Sequence, residues 1–214
     1  MSAPRLVLDR RLTQPPLLHN DFPLPSSGFL PFNFPMSIGF KEWALVCNAL
    51  AGGEQSIIIR KGGLHEGRDG FRFEHEQFFL FPTLFHEQVS RLKLPPETPL
   101  PQKSAQITIQ TLGRCEGTQL VTDLDKVRAL SPFHIWKDEV IEERFRYDEL
   151  QGVHVGFFRF FKLSRPWVFP DEPKYGGCRS WLTLPELPAD IEFSPVLDDA
   201  AHSSRMSQIK KLLE

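Results

Sequence analysis

The first strongly patterned segment of the chain predicts a helix over about residues 37–51. Phe40, Trp43 and Cys47 recur with the spacing of one helical face, and Gly52-Gly53 follows as a C-terminal stop. Ser131-Pro132 supplies an N-cap and a proline at the first helical position. A second helix is therefore predicted through Trp136 and Val140 towards Arg144, with shorter helices over 85–93 and 205–214.

Alternating or β-branched segments predict strands over residues 56–60, 71–81, 153–163 and 178–184. A helix over 74–81 is the alternative for the second of these. Residues 106–111 and 118–124 alternate on either side of Gly113 and Gly117, which predicts a hairpin.

Proline-rich stretches divide the chain. Seven prolines lie within residues 1–36, and because proline fixes φ and removes a hydrogen-bond donor, this segment is predicted to be an extended arm. We expect an arm at 1–36, one α+β domain at 37–184, and a loose tail with a short helix at 185–214. Since strands outnumber the helices between them, the pattern favours a small mixed or antiparallel, barrel-like sheet with a few flanking helices.

Composition narrows the class of protein without naming a function. The 214 residues are 41% hydrophobic and 24% charged, and 19 of them are Phe, so the chain can bury a core. No apolar run approaches the roughly 18 residues of a membrane span, and no signal-peptide core follows Met1, so we expect a cytoplasmic protein without membrane contact. A formal net charge of −2 removes any overall electrostatic argument for nucleic acid, but a local basic face stays possible.

The three cysteines do not form a recognisable framework. Cys47, Cys115 and Cys178 are widely spaced, which argues against disulfides and zinc-ribbon sites. We expect small buried side chains, with a catalytic thiol as the alternative.

Arg60-Lys61-Gly62-Gly63 is the first candidate site. It places two cations beside a backbone that is free to adopt positive φ, an arrangement that suits a phosphate or a carboxylate. A strand end with solvated charges is the simpler interpretation of the same four residues.

A second candidate site is the cluster of histidines and glutamates between residues 65 and 87. His75, His86, Glu74 and Glu76 suggest metal-assisted hydrolysis, although the two glutamates and His75 would alternate across a strand. Solvated glutamates and a half-buried His75 are the simpler interpretation, so no metal and no cofactor is predicted. The acidic pattern of a restriction-type nuclease and a Gly-x-Ser-x-Gly motif are both missing from the sequence.

Aromatic side chains supply a third kind of candidate, a platform on which a base could stack. Trp43 and Trp136 lie on the predicted helical stripes and are expected in the core. Trp167 and Tyr175, each close to an arginine, are better candidates for exposure, although a place in the core or at an interface is favoured over base stacking for these rings too.

Three segments carry a resemblance to a known family. Residues 41–63 and 71–86, together with Tyr175-Gly-Gly-Cys-Arg-Ser-Trp-Leu182, resemble the bacterial domain of unknown function 1802 family over about residues 38–184. This resemblance implies no chemistry, because the family has no assigned activity.

A looser architectural likeness extends the expectation for the fold. The segment from Gly53 to Arg60 is similar to the opening of PUA-like and activating-signal-cointegrator-homology (ASCH) barrels, although Glu54-Gln55 stands where those barrels usually have a lysine. The likeness implies a PUA-like sheet with a cleft that takes nucleic acid or a nucleobase.

The leading hypothesis is a noncatalytic module that binds nucleic acid or a nucleotide. Arg60 and Lys61 would meet phosphate, with His75, His86 and Arg179 near the same opening. A metal-assisted hydrolase, or a subunit that docks on a protein partner through its N-terminal arm, are the alternatives. The sequence leaves open whether any reaction occurs.

Overall fold

The computed structural model describes residues 36–61, 73–149 and 151–214. Seven strands and five α-helices occupy these residues. The strands are β1 (Ile38–Trp43), β2 (Ile57–Arg60), β3 (Gln77–Thr83), β4 (Gln106–Val121), β5 (Val153–Pro170), β6 (Trp181–Thr183) and β7 (Phe193–Pro195). The helices are α1 (Ala44–Gly52), α2 (Gln88–Arg91), α3 (Leu124–Ala129), α4 (Asp138–Phe145) and α5 (Asp199–Leu213). None of these helices is long and apolar enough to cross a membrane.

The strands form one mixed sheet with the order β2-β5-β4-β3-β1-β6, and β7 pairs with β5. β1 and β3 run parallel, and the other neighbouring pairs are antiparallel. The predicted α+β class and mixed sheet are confirmed. The expected closure into a barrel wall is not present in the described part of the chain, where β2 and β6 remain the two ends of the order. A side chain links β2 to the strand next to β6, because Arg60 donates a hydrogen bond to the carbonyl of Lys41 in β1.

β4 is a single strand, so the predicted hairpin over 106–124 is wrong. Gly113 lies inside the strand, where an added Cβ would come within 3.0 Å of both Phe78 and Phe160. Gly117 has φ +155° at a register shift in the ladder to β5. The two glycines thus serve close packing and a bulge, and not a turn.

The helix predicted from residue 37 begins only at Ala44. The six residues before it form β1, which hydrogen-bonds to β3 on one side and to β6 on the other. This long-range pairing overrides the local helical spacing of Phe40 and Trp43. The predicted stop is confirmed, since Gly53 follows the helix with φ +78°.

The helix predicted from Ser131 is interrupted. Residues 131–133 form one 3-10 turn, and α4 starts only at Asp138. Between them the backbone pairs with residues 91–93: Lys93 donates to the carbonyl of Ile135, and Lys137 donates to that of Arg91. These amide and carbonyl groups are therefore unavailable for a continuous helix.

Two apolar clusters lie on opposite faces of the sheet. In β3, Phe78 and Leu80 point into the first core, whereas Phe79 and Phe81 point into the second, which explains the uninterrupted apolar run. Trp167 and Tyr175, the better candidates for exposure, both lie in the second core with 3% exposure, so the interpretation of these rings as core residues is the correct one.

The C-terminal residues add to the first core. Residues 185–214, expected as a loose tail with a short helix, carry β7 and the 15-residue α5. Met206, Ile209 and Leu213 of that helix lie in the first core. The N-terminal arm predicted at 1–36 lies, apart from Met36, outside the described residues.

Candidate functional site

Arg60, the last residue of β2, is held against β1 by three contacts. Its Nη2 donates to the carbonyl oxygen of Lys41 at 2.6 Å and lies 3.2 Å from the carboxylate of Glu42. Its guanidinium also lies over the ring of Phe40, 4.8 Å from the centroid. The buried Nε–H of Arg60 has no hydrogen-bond partner among the described residues. About a quarter of the side chain stays accessible (24%), so the guanidinium is fixed in place with donors to spare.

Glu42 is the carboxylate that pairs with Arg60 and so stabilises its guanidinium against β1. It is only 2% exposed, and its Oε1 accepts a hydrogen bond from the backbone N–H of Trp43 at 2.8 Å. On a strand Glu42 lies on the same side as Phe40, which directs both residues towards Arg60. Pairing with Arg60 and the backbone compensates the cost of burying its charge.

Arg144 brings a second guanidinium to the same place. It belongs to the last turn of α4, and its Nη1 donates to the carbonyl of Ile59 in β2 at 3.1 Å. The guanidinium lies 3.7 Å above the ring of the buried Trp136. Helix α4 thus places an arginine beside the residue that precedes Arg60.

The electrostatic environment of Arg144 is unbalanced. Burial, and then the neighbouring charge of Arg60, lower the pKa of Arg144 to about 10, and Arg91 acts in the same direction. Two carboxylates oppose this, and among the described residues three arginines therefore face two glutamates. These are Arg60, Arg91 and Arg144 against Glu42 and Glu143. One positive charge is in excess, and a bound anion would compensate it.

Aromatic rings extend from this charge cluster to the surface. The ring of Trp43 lies 4.6 Å from that of Trp136 and 5.1 Å from that of Phe85. Trp43 and Phe85 are half-buried, so part of each ring faces solvent. Arginines beside accessible aromatic rings are the combination that proteins use to bind phosphate and base together.

The predicted site residues are only partly gathered here. Lys61 is next to Arg60 and forms an ion pair with Asp148 at 2.9 Å, and Gly62 and Gly63 lie outside the described residues. The ring of His75 packs against Trp181, whose ring contacts Phe40 at 4.7 Å. His75 is therefore joined to Arg60 through two rings.

His86 and Arg179 lie further away. His86 follows Phe85 and is 83% exposed beside Glu87. Arg179 is exposed, donates to the carbonyl of Lys174, and belongs to the loop that receives the amino group of Lys41. No contact joins either of them to Arg60 in the described part of the chain.

The described residues do not form the metal site that was the alternative hypothesis. Within ranges 36–61, 73–149 and 151–214, no three His, Cys, Asp or Glu side chains come together in a way that could hold a metal ion. Glu74 and Glu76 are exposed, and His75 contacts a tryptophan ring. His65 lies outside the described residues.

The cysteines are free and differ in burial. Cys47 is buried, Cys115 is partly buried, and Cys178 is exposed, so the expectation of three buried thiols is wrong for the last one. Burial raises the pKa of Cys115 to about 11 and that of Cys47 well above its ordinary value, which disfavours thiolate chemistry at both.

The sequence patterns did not point to Glu42 or Arg144 as members of the site, although the spacing of each residue from its apolar neighbours could have indicated it. Arg144 follows Trp136 and Val140 at intervals of four, and Glu42 lies two residues after Phe40. A charged residue on an otherwise apolar face is expected to find a partner in the fold.

Comparison with known proteins gives one family and one structural neighbour. A comparison with curated proteins gives no match. Among solved structures, the chain is similar to a serine-to-alanine variant of the ASCH protein ZmASCH from Zymomonas mobilis. The identity is 8% and the TM-score is 0.38, over 80% of this chain and 95% of that one. The model of DUF1802, a domain of unknown function, matches residues 39–208. This match spans most of the chain and includes β1, Arg60, α4 and most of α5, so the protein belongs to the DUF1802 family.

Proposed function

We propose that the protein is a noncatalytic module that binds nucleic acid or a nucleotide, and that phosphate meets the site formed by Arg60 and Arg144. One observation carries this proposal: hydrogen bonds to Lys41 and Ile59 hold Arg60 and Arg144 close together, in a cluster of three arginines and two glutamates. Burial, and then repulsion by Arg60, lower the pKa of Arg144 to about 10, which agrees with this excess of positive charge. A phosphate that pairs with these guanidiniums would relieve that repulsion and would be held by charge-assisted hydrogen bonds.

The geometry favours binding over catalysis. Arg60 is fixed by Lys41 and Glu42, and Arg144 by Ile59 and Trp136, so both guanidiniums are ordered before a ligand arrives. Of the two carboxylates of the site, Glu42 is buried and paired with Arg60, and Glu143 is paired with Arg91, so neither is free to act as a general base.

Fluorescence anisotropy with a labelled single-stranded RNA and a labelled single-stranded DNA tests the proposal. The wild-type chain should bind at low salt, and raising salt from about 50 to 200 mM should weaken binding steeply. Arg60→Gln should lower affinity about tenfold, or roughly 1.4 kcal/mol, and Lys61→Glu should lower it further.

Arg165→Gln is the matched control. Arg165 is an exposed arginine whose partner is Asp190, and its neighbours Leu163 and Trp167 in β5 belong to the second core. Its loss should leave affinity unchanged. Unchanged binding by both Arg60→Gln and Lys61→Glu, with each variant folded by circular dichroism, would refute the proposed function.

A further inference from the structure

An accessible strip of aromatic side chains begins where the arginine site ends. We call Trp43, Phe85 and His86 the aromatic shelf. Their rings follow one another at 5.1 Å and 5.0 Å between centroids, from half-buried Trp43 to His86, which is 83% exposed. Trp43 packs against the first core and contacts the buried ring of Trp136, whereas the rings of Phe85 and His86 extend the series towards the surface.

The shelf is rigid because a buried glutamine holds the loop that carries it. Gln88 is fully buried, and its Nε2 donates to the carbonyl of Thr83 at 2.8 Å. Its Oε1 accepts from the backbone N–H of Leu45 at 3.1 Å, and its own N–H donates to the carbonyl of Phe85. The loop between β3 and α2 is thus tied to the start of α1, which fixes the ring of Phe85 beside Trp43 before any ligand binds.

The shelf and the arginine site are continuous. Trp43 contacts Trp136, and Trp136 lies under the guanidinium of Arg144 at 3.7 Å. Arg91, at the end of the helix that follows the shelf, adds a third cation and pairs with Glu143. A ligand that contacts both the arginine site and the shelf therefore needs an anionic group. It also needs a flat apolar face about one or two ring diameters away from that group.

We propose, on the basis of the proposed function, that the shelf stacks an unpaired nucleobase and that the protein therefore selects single-stranded over double-stranded nucleic acid. In a duplex both faces of each base are covered by neighbouring base pairs, so the shelf has no partner there. In a single strand a base can turn outward and stack on an aromatic ring while its phosphate stays near the arginines. Stacking is tolerant of sequence, so the discrimination is by strandedness and not by base identity.

The experiment compares one labelled oligonucleotide alone and annealed to its complement, with wild type and three variants. Wild type should bind the single strand at least tenfold more tightly than the duplex. Phe85→Leu keeps the apolar volume but removes the π face, and it should weaken single-strand binding about fivefold to tenfold while leaving duplex binding unchanged. Phe85→Tyr keeps the ring and should bind like wild type.

Phe193→Leu is the matched control, because Phe193 is also a half-buried aromatic residue but packs against the second core. It should not change either affinity. Should Phe85→Leu fail to fold, His86→Ala serves in its place, since a side chain that is 83% exposed has little influence on stability. It should also weaken single-strand binding alone, by a smaller factor.

The outcomes separate this inference from the proposed function. Equal affinity for single strand and duplex, with no effect of Phe85→Leu and a clear loss in Arg60→Gln, overturns the stacking shelf and leaves phosphate binding intact. Absence of binding to either form by wild type overturns both. A shelf that serves instead to dock a protein would give the first of these results.

Discussion

Cations lie against aromatic rings on both sides of the sheet, but their surroundings differ. On the side of the first core, Arg144 is half-buried, contacts Trp136 and has its pKa lowered to about 10. On the side of the second core, the hydrogen bond from Arg165 to Asp190 raises the pKa of Arg165, and the bond to Glu172 raises that of Lys174. The first region holds charge that is incompletely neutralised, whereas the second holds exposed and paired charge.

This difference shows why residue type alone does not define an anion site. An exposed cation that already has a carboxylate partner gains little from a further anion, because water and salt screen it. A cation that is desolvated beside another cation gains much more. A cation beside an aromatic ring is therefore proposed to bind an anion in the first region, whereas in the second region it only packs at the surface, as Lys174 does over the ring of Tyr175.

The largest expected loss of stability comes from removing a buried tryptophan, Trp136 in the first core or Trp167 in the second. Trp136 is 1% exposed and Trp167 is 3% exposed, so Trp136→Ala and Trp167→Ala should each lower the free energy of unfolding by about 3–5 kcal/mol. Urea unfolding followed by circular dichroism measures both. A loss below about 1 kcal/mol in Trp136→Ala alone would mean that Arg144 has no packed ring beneath it.

The next largest expected loss of stability comes from breaking a buried ion pair, and an exposed ion pair is the comparison. Glu42→Gln removes the buried partner of Arg60 and should cost about 1–3 kcal/mol, less than a fully buried pair because Arg60 is 24% exposed. Glu172→Gln removes the exposed partner of Lys174 and should leave the free energy of unfolding nearly unchanged. Equal losses in the two variants, measured by urea unfolding at neutral pH, would remove the distinction between the regions.

These contrasts also show what the sequence could and could not predict. The strand that ends at Arg60 and the central strand β5 were predictable, because their β-branched or apolar runs are local signals. The site was not, since Glu42 and Arg144 lie 102 residues apart and meet only through the pairing that sets β1 and α4 beside β2. Local spacing also assigned β1 to a helix, where sheet pairing decided the outcome.

A pH-dependent effect concerns His134, which lies between the two halves of the interrupted helix. His134 is 5% exposed, and its Nδ1 has no partner among the described residues. Burial, and then the charge of Lys93, lower the pKa of His134 to about 3. The unfolded chain therefore binds a proton below about pH 6.5 that the folded chain refuses, so stability falls as pH falls from about 6.5 towards 3.

His134 should change the free energy of unfolding by about 1.4 kcal/mol per pH unit within that window. His134→Gln should remove this part of the slope when urea unfolding is measured between about pH 6.5 and 4.5. An unchanged slope in the variant would show that His134 is protonated in the folded state.

The central claim is that uncompensated charge on Arg60 and Arg144 binds phosphate, and the salt dependence of binding tests it most directly. For a single strand, the logarithm of the binding constant should fall linearly with the logarithm of salt concentration, by about 0.7 for each phosphate contact. Arg144→Gln should reduce this slope by about that amount relative to wild type and to Arg165→Gln. An identical slope in all three proteins, or no binding by the wild-type chain, would contradict the account.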